Sequence, residues 1–350
     1  MPTSEGYATA FLAGFLFLLA TNLMAGWLFF LVAFLIALLV VGFLSAASAA
    51  RAVRVEAAAP TVRAVEGGEV TLPVIVEGRR GARFLRIGAV VGGRRGEIFL
   101  AAIARGERRR VMLRLPAPAR GAYPLERLEI IAQGLVGMFR MRRRVDAAGE
   151  VLVRPRFQTL AALPSGRDAD GGDTLARRRR GEELVGTREY LPGDPARHIH
   201  WRSSRRHRRL IVKEFDDPAA PTAAIELDLA AGQEREALDR ALRAAASLAY
   251  TSIQHGLDVA VFAVERRGPV HLRGGWEQIW DGLARLSADG PALPEATARL
   301  RPLLPEGTMP VVVTAQGRGG GRGSIVVGPE GAGTPWEFDA EGGVRRRWRA

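Results

Sequence analysis

Residues 186–215, GTREYLPGDPARHIHWRSSRRHRRLIVKEF, crowd many kinds of polar side chain between apolar punctuation. They include His198, His200 and His207, three of the five histidines, and Lys213, the only lysine. Three chemistries follow from these types at this spacing. His198 and His200 share one face if the segment is extended, and Glu189, Asp194 or Glu214 could complete a metal site around them. A lone H-x-H is more often structural, and no second histidine cluster exists elsewhere in the sequence. Asp194 and His200 could serve acid–base hydrolysis with Ser203 or Ser204 as the nearby hydroxyl, but no G-x-S-x-G elbow surrounds either serine. The third chemistry is recognition, because Trp, Tyr and Arg dominate interface hot spots and Arg188, Tyr190, Arg197 and Trp201 are of those types. Pro192-Gly193-Asp194-Pro195 is a turn by composition, with Gly193 free to take a positive φ and Asp194 able to cap backbone amides. Asp194 could also pair with Arg188 or Arg197, which makes the segment a polar latch. Latch and recognition surface suit the residues equally.

Nucleotide hydrolysis by a phosphate-binding loop is excluded. Such a loop needs a lysine after its glycines, and Lys213 stands in VKEF with none before it. The run GRGGGRG at 317–323 lacks the strand and helix that a dinucleotide fingerprint requires.

The chain that must position these residues has 350 residues, enough for about two buried cores. It has no cysteine, which removes disulfides, thiolate zinc sites and cysteine nucleophiles together. The formal net charge is +13, and all but one of the 50 basic residues are arginine. That bias suits a GC-rich coding sequence, so Arg177–Arg180 and Arg205–Arg209 read as solvated runs and no specific nucleic-acid partner is expected. Binding through them would show a steep salt dependence.

From 7 to 50 there is no charged residue. About 20 apolar residues cross a bilayer, and Thr21-Asn22 divides this run into helices expected at 7–20 and 23–44. Residues 1–6 carry no Lys or Arg, so a membrane hairpin is expected rather than a cleaved signal. Arg51 and Arg54 follow the second helix, which places the soluble part and the N-terminus in the cytoplasm, with lipid contact through 7–44.

Short runs rich in β-branched residues follow: 70–76, an edge strand because of Pro73; 87–91 and 97–102 around Gly92-Gly93; 111–115; and 123–131. They predict an antiparallel β-sandwich over 51–157. A polar linker is expected over 158–185. The remainder, 186–350, alternates strands (223–229, 258–264, 309–315, 324–327) with helices (234–255, 276–286, 295–304), which implies parallel βαβ units. In the first helix Glu236 with Arg240 and Asp239 with Arg243 are spaced to pair on the wet side, and Gly256 closes it. The tail after Gly331 is expected to be irregular or an edge strand.

The pattern R-E-Y-x-x-G-D-x-x-R-x-I-x-W, here Arg188 to Trp201, resembles the bacterial domain of unknown function 58 family. Leu210 to Glu214 resembles the strand that follows it there. Arg120-Gly121-Ala122-Tyr123, residues 135–139 (LVGMF) and Val151 to Pro155 resemble that family's upstream elements, and the two spans fit as well. The resemblance implies a membrane-anchored protein with a von Willebrand factor A-like α/β domain. It further implies a partner among MoxR-type AAA+ ATPases and other membrane proteins and a chaperone-like or assembly role. No cofactor is expected. The adhesion-site motif of such domains, Asp-x-Ser-x-Ser, holds Mg²⁺ through oxygen ligands. Here it is Asp228-Leu229-Ala230-Ala231-Gly232, with the aspartate kept and both hydroxyls missing. The expectation is therefore a non-enzymatic docking protein acting through Arg188, Tyr190, Gly193, Asp194, Arg197, His200 and Trp201. The alternative is a hydrolase or metal enzyme built on Asp194, His198 and His200.

Overall fold

A computed structural model describes residues 1–23, 26–125, 127–134, 137–164, 184–190, 200–207, 209–215, 222–304, 308–317 and 323–347. The chain divides into two compact units, Met1–Arg154 and Pro155–Ala350.

The first unit opens with α1 (Ser4–Leu23) and α2 (Gly26–Arg51), both long and apolar enough to cross a membrane. Helix α1 runs through Thr21 and Asn22 because their side chains donate back to the Leu18 carbonyl, both at 2.8 Å. The polar pair is satisfied inside the helix and does not break it. Phe11, Phe30 and Trp27 are among the many large apolar side chains left exposed on the two helices. The outer ends of both return to one loop: the Thr3 amide donates to the Met138 carbonyl at 2.8 Å, and Phe139 packs edge-on against Phe43 of α2.

Ten strands follow: β1 (Val53–Ala57), β2 (Thr61–Val65), β3 (Glu69–Gly78), β4 (Ala82–Val91), β5 (Arg94–Ile103), β6 (Arg108–Pro116), β7 (Gly121–Pro124), β8 (Arg127–Gln133), β9 (Arg140–Asp146) and β10 (Glu150–Arg154). They form sheets in the orders β1-β3-β6, β5-β4-β8-β9 and β2-β10-β7, and all three contribute to one apolar core. Gly92 and Gly93 join β4 to β5 as expected, at φ 54° and 77°, the left-handed pair that a tight hairpin of this twist needs. Two expectations are corrected. Strand β3 is central, not an edge: Pro73 sits where β1 has just ended, and its carbonyl still accepts from Ala58 at 2.9 Å. The missing N–H therefore faces no partner that needs it. Nor is every pair antiparallel, since β10 runs parallel to β2; the long stretch of chain between them allows the crossover.

The second unit is built on a seven-stranded sheet ordered β15-β14-β13-β16-β17-β18-β19. Its strands are β13 (Thr222–Leu227), β14 (Asp258–Glu265), β15 (Gly268–Arg273), β16 (Val311–Val313), β17 (Ile325–Pro329), β18 (Trp336–Phe338) and β19 (Val344–Arg346). β14, β13, β16, β17 and β18 are parallel, flanked by the antiparallel β15 and β19. A buried parallel strand is apolar on both faces, as VAVFAV in β14 shows. The long helix α4 (Arg235–Gln254) packs with Ile225, Leu227, Val261 and Val313 on one face. Helix α6 (Leu293–Leu300) packs with Ala224, Ala260 and Phe262 on the other. Between them in sequence lies α5 (Trp276–Arg285). Two more elements, β11 (Leu184–Glu189) and β12 (Ile211–Phe215), form a separate antiparallel ribbon around the short helix α3 (Trp201–His207). The strand bearing Lys213 thus pairs with β11 and is not part of the large sheet.

Three further expectations are modified by packing. Pro155 and Phe157, expected at the end of the sandwich, belong to the second unit: Phe157 packs on Tyr250, Trp276 and Trp280, and the Trp280 indole donates to the Pro155 carbonyl at 2.7 Å. Leu160 is buried, and its amide donates to Thr251 Oγ1 at 3.0 Å. Asp239 and Arg243 are not on a wet face but buried; Arg243 reaches Glu236 at 3.0 Å and the Ala340 carbonyl at 2.8 Å. Of the two expectations for the tail, the edge strand holds for β19, but β18 lies inside the sheet and carries Trp336 and Phe338 into the core.

Candidate functional site

From β13 the chain crosses to β14 on one side of the sheet and returns to β16 on the other. The strand order therefore reverses between β13 and β16, the place where open α/β sheets hold their ligands, beyond the carboxyl ends of the strands. Asp228 follows β13 directly and Thr314 follows β16. The Thr314 hydroxyl donates to Asp228 Oδ2 at 2.8 Å, and the Ala230 amide donates to Oδ1 at 3.1 Å. Both residues are buried, Asp228 at 3% exposure. Gln233 Nε2 donates to the Asp228 carbonyl at 3.3 Å, while its Oε1 is buried without a hydrogen-bond partner.

The Asp228 loop is held from across the site by Gly290. Ala230 and Gly290 form a bridge, and the Gly290 amide donates to the Leu229 carbonyl at 2.8 Å. A Cβ at 290 would lie 2.0 Å from the Val264 carbonyl oxygen, so only glycine permits this approach.

Glu226 lies two residues before Asp228 and so on the same face of the strand. It is fully buried; Oε1 accepts the Thr297 hydroxyl from α6, and Oε2 has no partner. Burial pushes its carboxyl above the usual carboxylate range, the Asp228 charge adds to that, and the Thr297 bond opposes it. The acidic pair thus has one member shifted toward the protonated form.

Divalent cations of the adhesion-site type need about six oxygen ligands. Here Asp228 already uses both oxygens on Thr314 and Ala230, and the two hydroxyl positions of the motif are Ala230 and Gly232. The residues present do not fit such an ion. Among the described residues, no group of three His, Asp or Glu converges on one point.

The ribbon carries part of the sequence motif. Arg188 pairs with Val212 across β11 and β12, and the Tyr190 amide donates to the Leu210 carbonyl at 2.9 Å. His200 caps α3: its Nδ1 accepts the Ser203 amide at 3.2 Å and stands 2.7 Å from Ser203 Oγ. Ser204 Oγ accepts the Ile211 amide at 2.8 Å, which ties the helix to β12. Trp201, on the first turn, is 66% exposed. Gly193, Asp194, Arg197 and His198 lie outside the described residues, so their juxtaposition with His200 is not part of this geometry.

Sequence reasoning singled out Asp228 but missed Glu226, Gln233 and Thr314. Glu226 had a signal, a carboxylate inside the apolar strand TAAIEL at period two from Asp228. Thr314 had none, because only the sheet order brings it to a residue 86 positions away.

Residues 186–314 match the family model described as Protein of unknown function DUF58. The match begins at the start of the ribbon motif and ends on Thr314; the upstream elements lie outside it. The comparison with curated proteins gives no match. Among solved structures the chain is similar to Cwp6 from Clostridium difficile, at 9% identity and a TM-score of 0.21. That similarity covers 61% of this chain and spans 29% of the other.

Proposed function

We propose that this chain is a non-enzymatic docking or assembly protein anchored in the cytoplasmic membrane. In this reading α1 and α2 form a two-pass anchor with both ends cytoplasmic, the β-rich unit is a sandwich, and the second unit is a metal-free von Willebrand factor A-like module. The partner is an AAA+ ATPase of the MoxR type, engaged through the 188–201 segment. One observation carries the reading. Trp201 presents two-thirds of its surface on a short helix that His200 caps and Ser204 ties to β12. A large aromatic held rigidly outward has the character of an interface anchor.

The test is the affinity of the full chain, in mild detergent, for a MoxR-type ATPase from the same genome. Replacing a hot-spot tryptophan by alanine costs about 2 kcal/mol or more, roughly 30-fold in Kd. Trp201→Ala should weaken binding by that factor while the unfolding temperature stays unchanged. Equal affinity of a folded Trp201→Ala protein would leave the motif as a latch only.

The hydrolase alternative has one observation in its favour, the 2.7 Å contact of Ser203 Oγ with His200 Nδ1. The same Nδ1 also takes the Ser203 amide, so capping explains the contact without catalysis. A chromogenic ester turned over by the wild type and not by Ser203→Ala would reverse this preference.

A further inference from the structure

A cleft of about 640 Å³ in the first unit lies where the end of α2 meets the strand ends of β4, β5 and β6. Ser45, Ser48, Ala49 and Ala52 line it from the helix side; Arg80, Arg83, Phe84 and Arg109 line it from the strands.

Its level relative to a bilayer follows from the sequence of α2. Residues 26–44 contain no polar side chain, and about 20 apolar residues span the hydrocarbon. Ser45 to Arg51 then lie in the headgroup layer, and the cleft with them. The walls are fixed to the helix end. The Arg79 and Arg80 amides both donate to the Ala52 carbonyl, at 2.8 and 3.1 Å. The 104–107 turn closes on Gly78, where a Cβ would stand 2.2 Å from the Ala104 oxygen.

The charge in the cleft is unbalanced. Glu107 is held by the Ala104 amide and by Arg109, which lower its carboxyl below the usual range and neutralise that arginine. Arg80 and Arg83 have no side-chain partner among the described residues. The Ser45 and Ser48 hydroxyls are spent on the helix, donating to the Gly42 and Ser45 carbonyls at 2.9 and 3.0 Å. The lining therefore offers two guanidinium groups with no side-chain partner among the described residues, donors suited to a phosphate. Phe84 adds an apolar contact at the same level. It is 43% exposed and the only non-glycine residue described at positive φ, 54°, a strained backbone for an aromatic residue. Strain of this kind persists where the surroundings over-determine it, often at ligand sites. Here it puts a ring at the membrane interface, where aromatic side chains concentrate.

We infer that this cleft is a binding site for the headgroup of an anionic phospholipid, with the phosphate on Arg80 and Arg83 and the acyl chains running down α2 beside Phe84. Basic pockets next to spanning helices bind anionic lipids in this way.

The test uses the full chain in dodecyl maltoside, with bound lipid counted by native mass spectrometry. The probes are dioctanoyl phosphatidylglycerol, dioctanoyl phosphatidylcholine and inorganic phosphate. Phosphatidylglycerol should be retained in preference to phosphatidylcholine. The double variant Arg80→Gln, Arg83→Gln should weaken it roughly 30-fold, the loss of two near-surface charges. The control double variant Arg94→Gln, Arg95→Gln removes the same charge at the far end of the same hairpin, and it should bind like the wild type. Equal losses in the two variants, or no preference over phosphatidylcholine, would overturn the inference. Inorganic phosphate competing as well as the lipid would show a small-anion site and overturn it too. Unchanged thermal unfolding of both variants keeps a loss of binding distinct from a loss of fold.

Discussion

Replacing Thr314 by valine probes the switch-point site directly. The two side chains are nearly isosteric, and the position is fully buried, so the change removes a hydroxyl and little else. The lost bond is donated to the carboxylate of Asp228 at 2.8 Å, and a hydrogen bond to a charged group contributes about 1.5–3 kcal/mol. The same hydroxyl accepts the Gln316 amide at 3.2 Å, and that donor loses its acceptor, at about 1 kcal/mol more. Together the cost is about 2–4 kcal/mol. A unit of this size shifts by roughly 2–4 °C per kcal/mol, so its unfolding midpoint should fall by about 5–15 °C. The assay is differential scanning calorimetry of the full chain in detergent, with Thr314→Ser as the control that keeps the hydroxyl. Wild-type-like behaviour of Thr314→Ser and a large shift for Thr314→Val would match the geometry. A valine shift below about 1 °C, or serine and valine falling together, would refute the claim that Asp228 is satisfied from within.

Two further outcomes follow from buried or crowded groups. Glu226 is raised in the folded state, so between its unfolded value and its folded value the native protein holds more protons than the unfolded chain. Stability then falls as pH rises through that window, by at most about 1.4 kcal/mol per pH unit for one proton. Glu226→Gln, which keeps an oxygen for Thr297, should remove the slope and raise the midpoint at pH 7; a steeper slope or a lower midpoint contradicts the assignment. At Gly342, φ is 86° and an added Cβ would stand 2.7 Å from the Arg243 backbone, whereas Gly331 has a similar φ of 85° with open space around it. Gly331→Ala should cost about the 1–2 kcal/mol of a left-handed alanine and Gly342→Ala clearly more, and equal unfolding midpoints would show that the tail does not press on α4.

The sequence disclosed most where one period dominated. The two apolar helices, the glycine hairpin, the long helix closed by Gly256 and the parallel strands could all be read from spacing alone. What escaped it depended on contacts between distant residues. Pro73 looked like an edge marker because a proline lacks a donor, yet the sheet ends β1 one residue short and makes the loss harmless. Asp239 and Arg243 looked like a wet-side pair because their spacing is that of an exposed face. The tail turn at 339–343 covers that face, so Arg243 finds its partners at Glu236 and Ala340. Trp336 and Phe338 stood in a stretch too short and too rich in glycine to look like more than an irregular tail or an edge strand. Their burial against the sheet outweighs that local composition.

Contacts of the same kind sort the polar residues by what remains available to a partner. His200 and Ser203, the two motif residues with a chemical repertoire, cap one end of α3, and Ser204 ties the helix to β12. Asp228, the remnant of a cation motif, is closed by Thr314 and Ala230. In each case a group that could act on a ligand is engaged by the backbone or side chain beside it, and freeing it would cost a hydrogen bond. Exposed groups under no such restraint among the described residues are of a different kind: the ring of Trp201, and the guanidinium groups of Arg80 and Arg83. An aromatic ring and unpaired cations favour binding over bond-breaking. If chemistry rather than binding were the role of this chain, the Trp201 and Arg80/Arg83 variants would leave it untouched and a Ser203 variant would abolish it, so the three together separate the two readings.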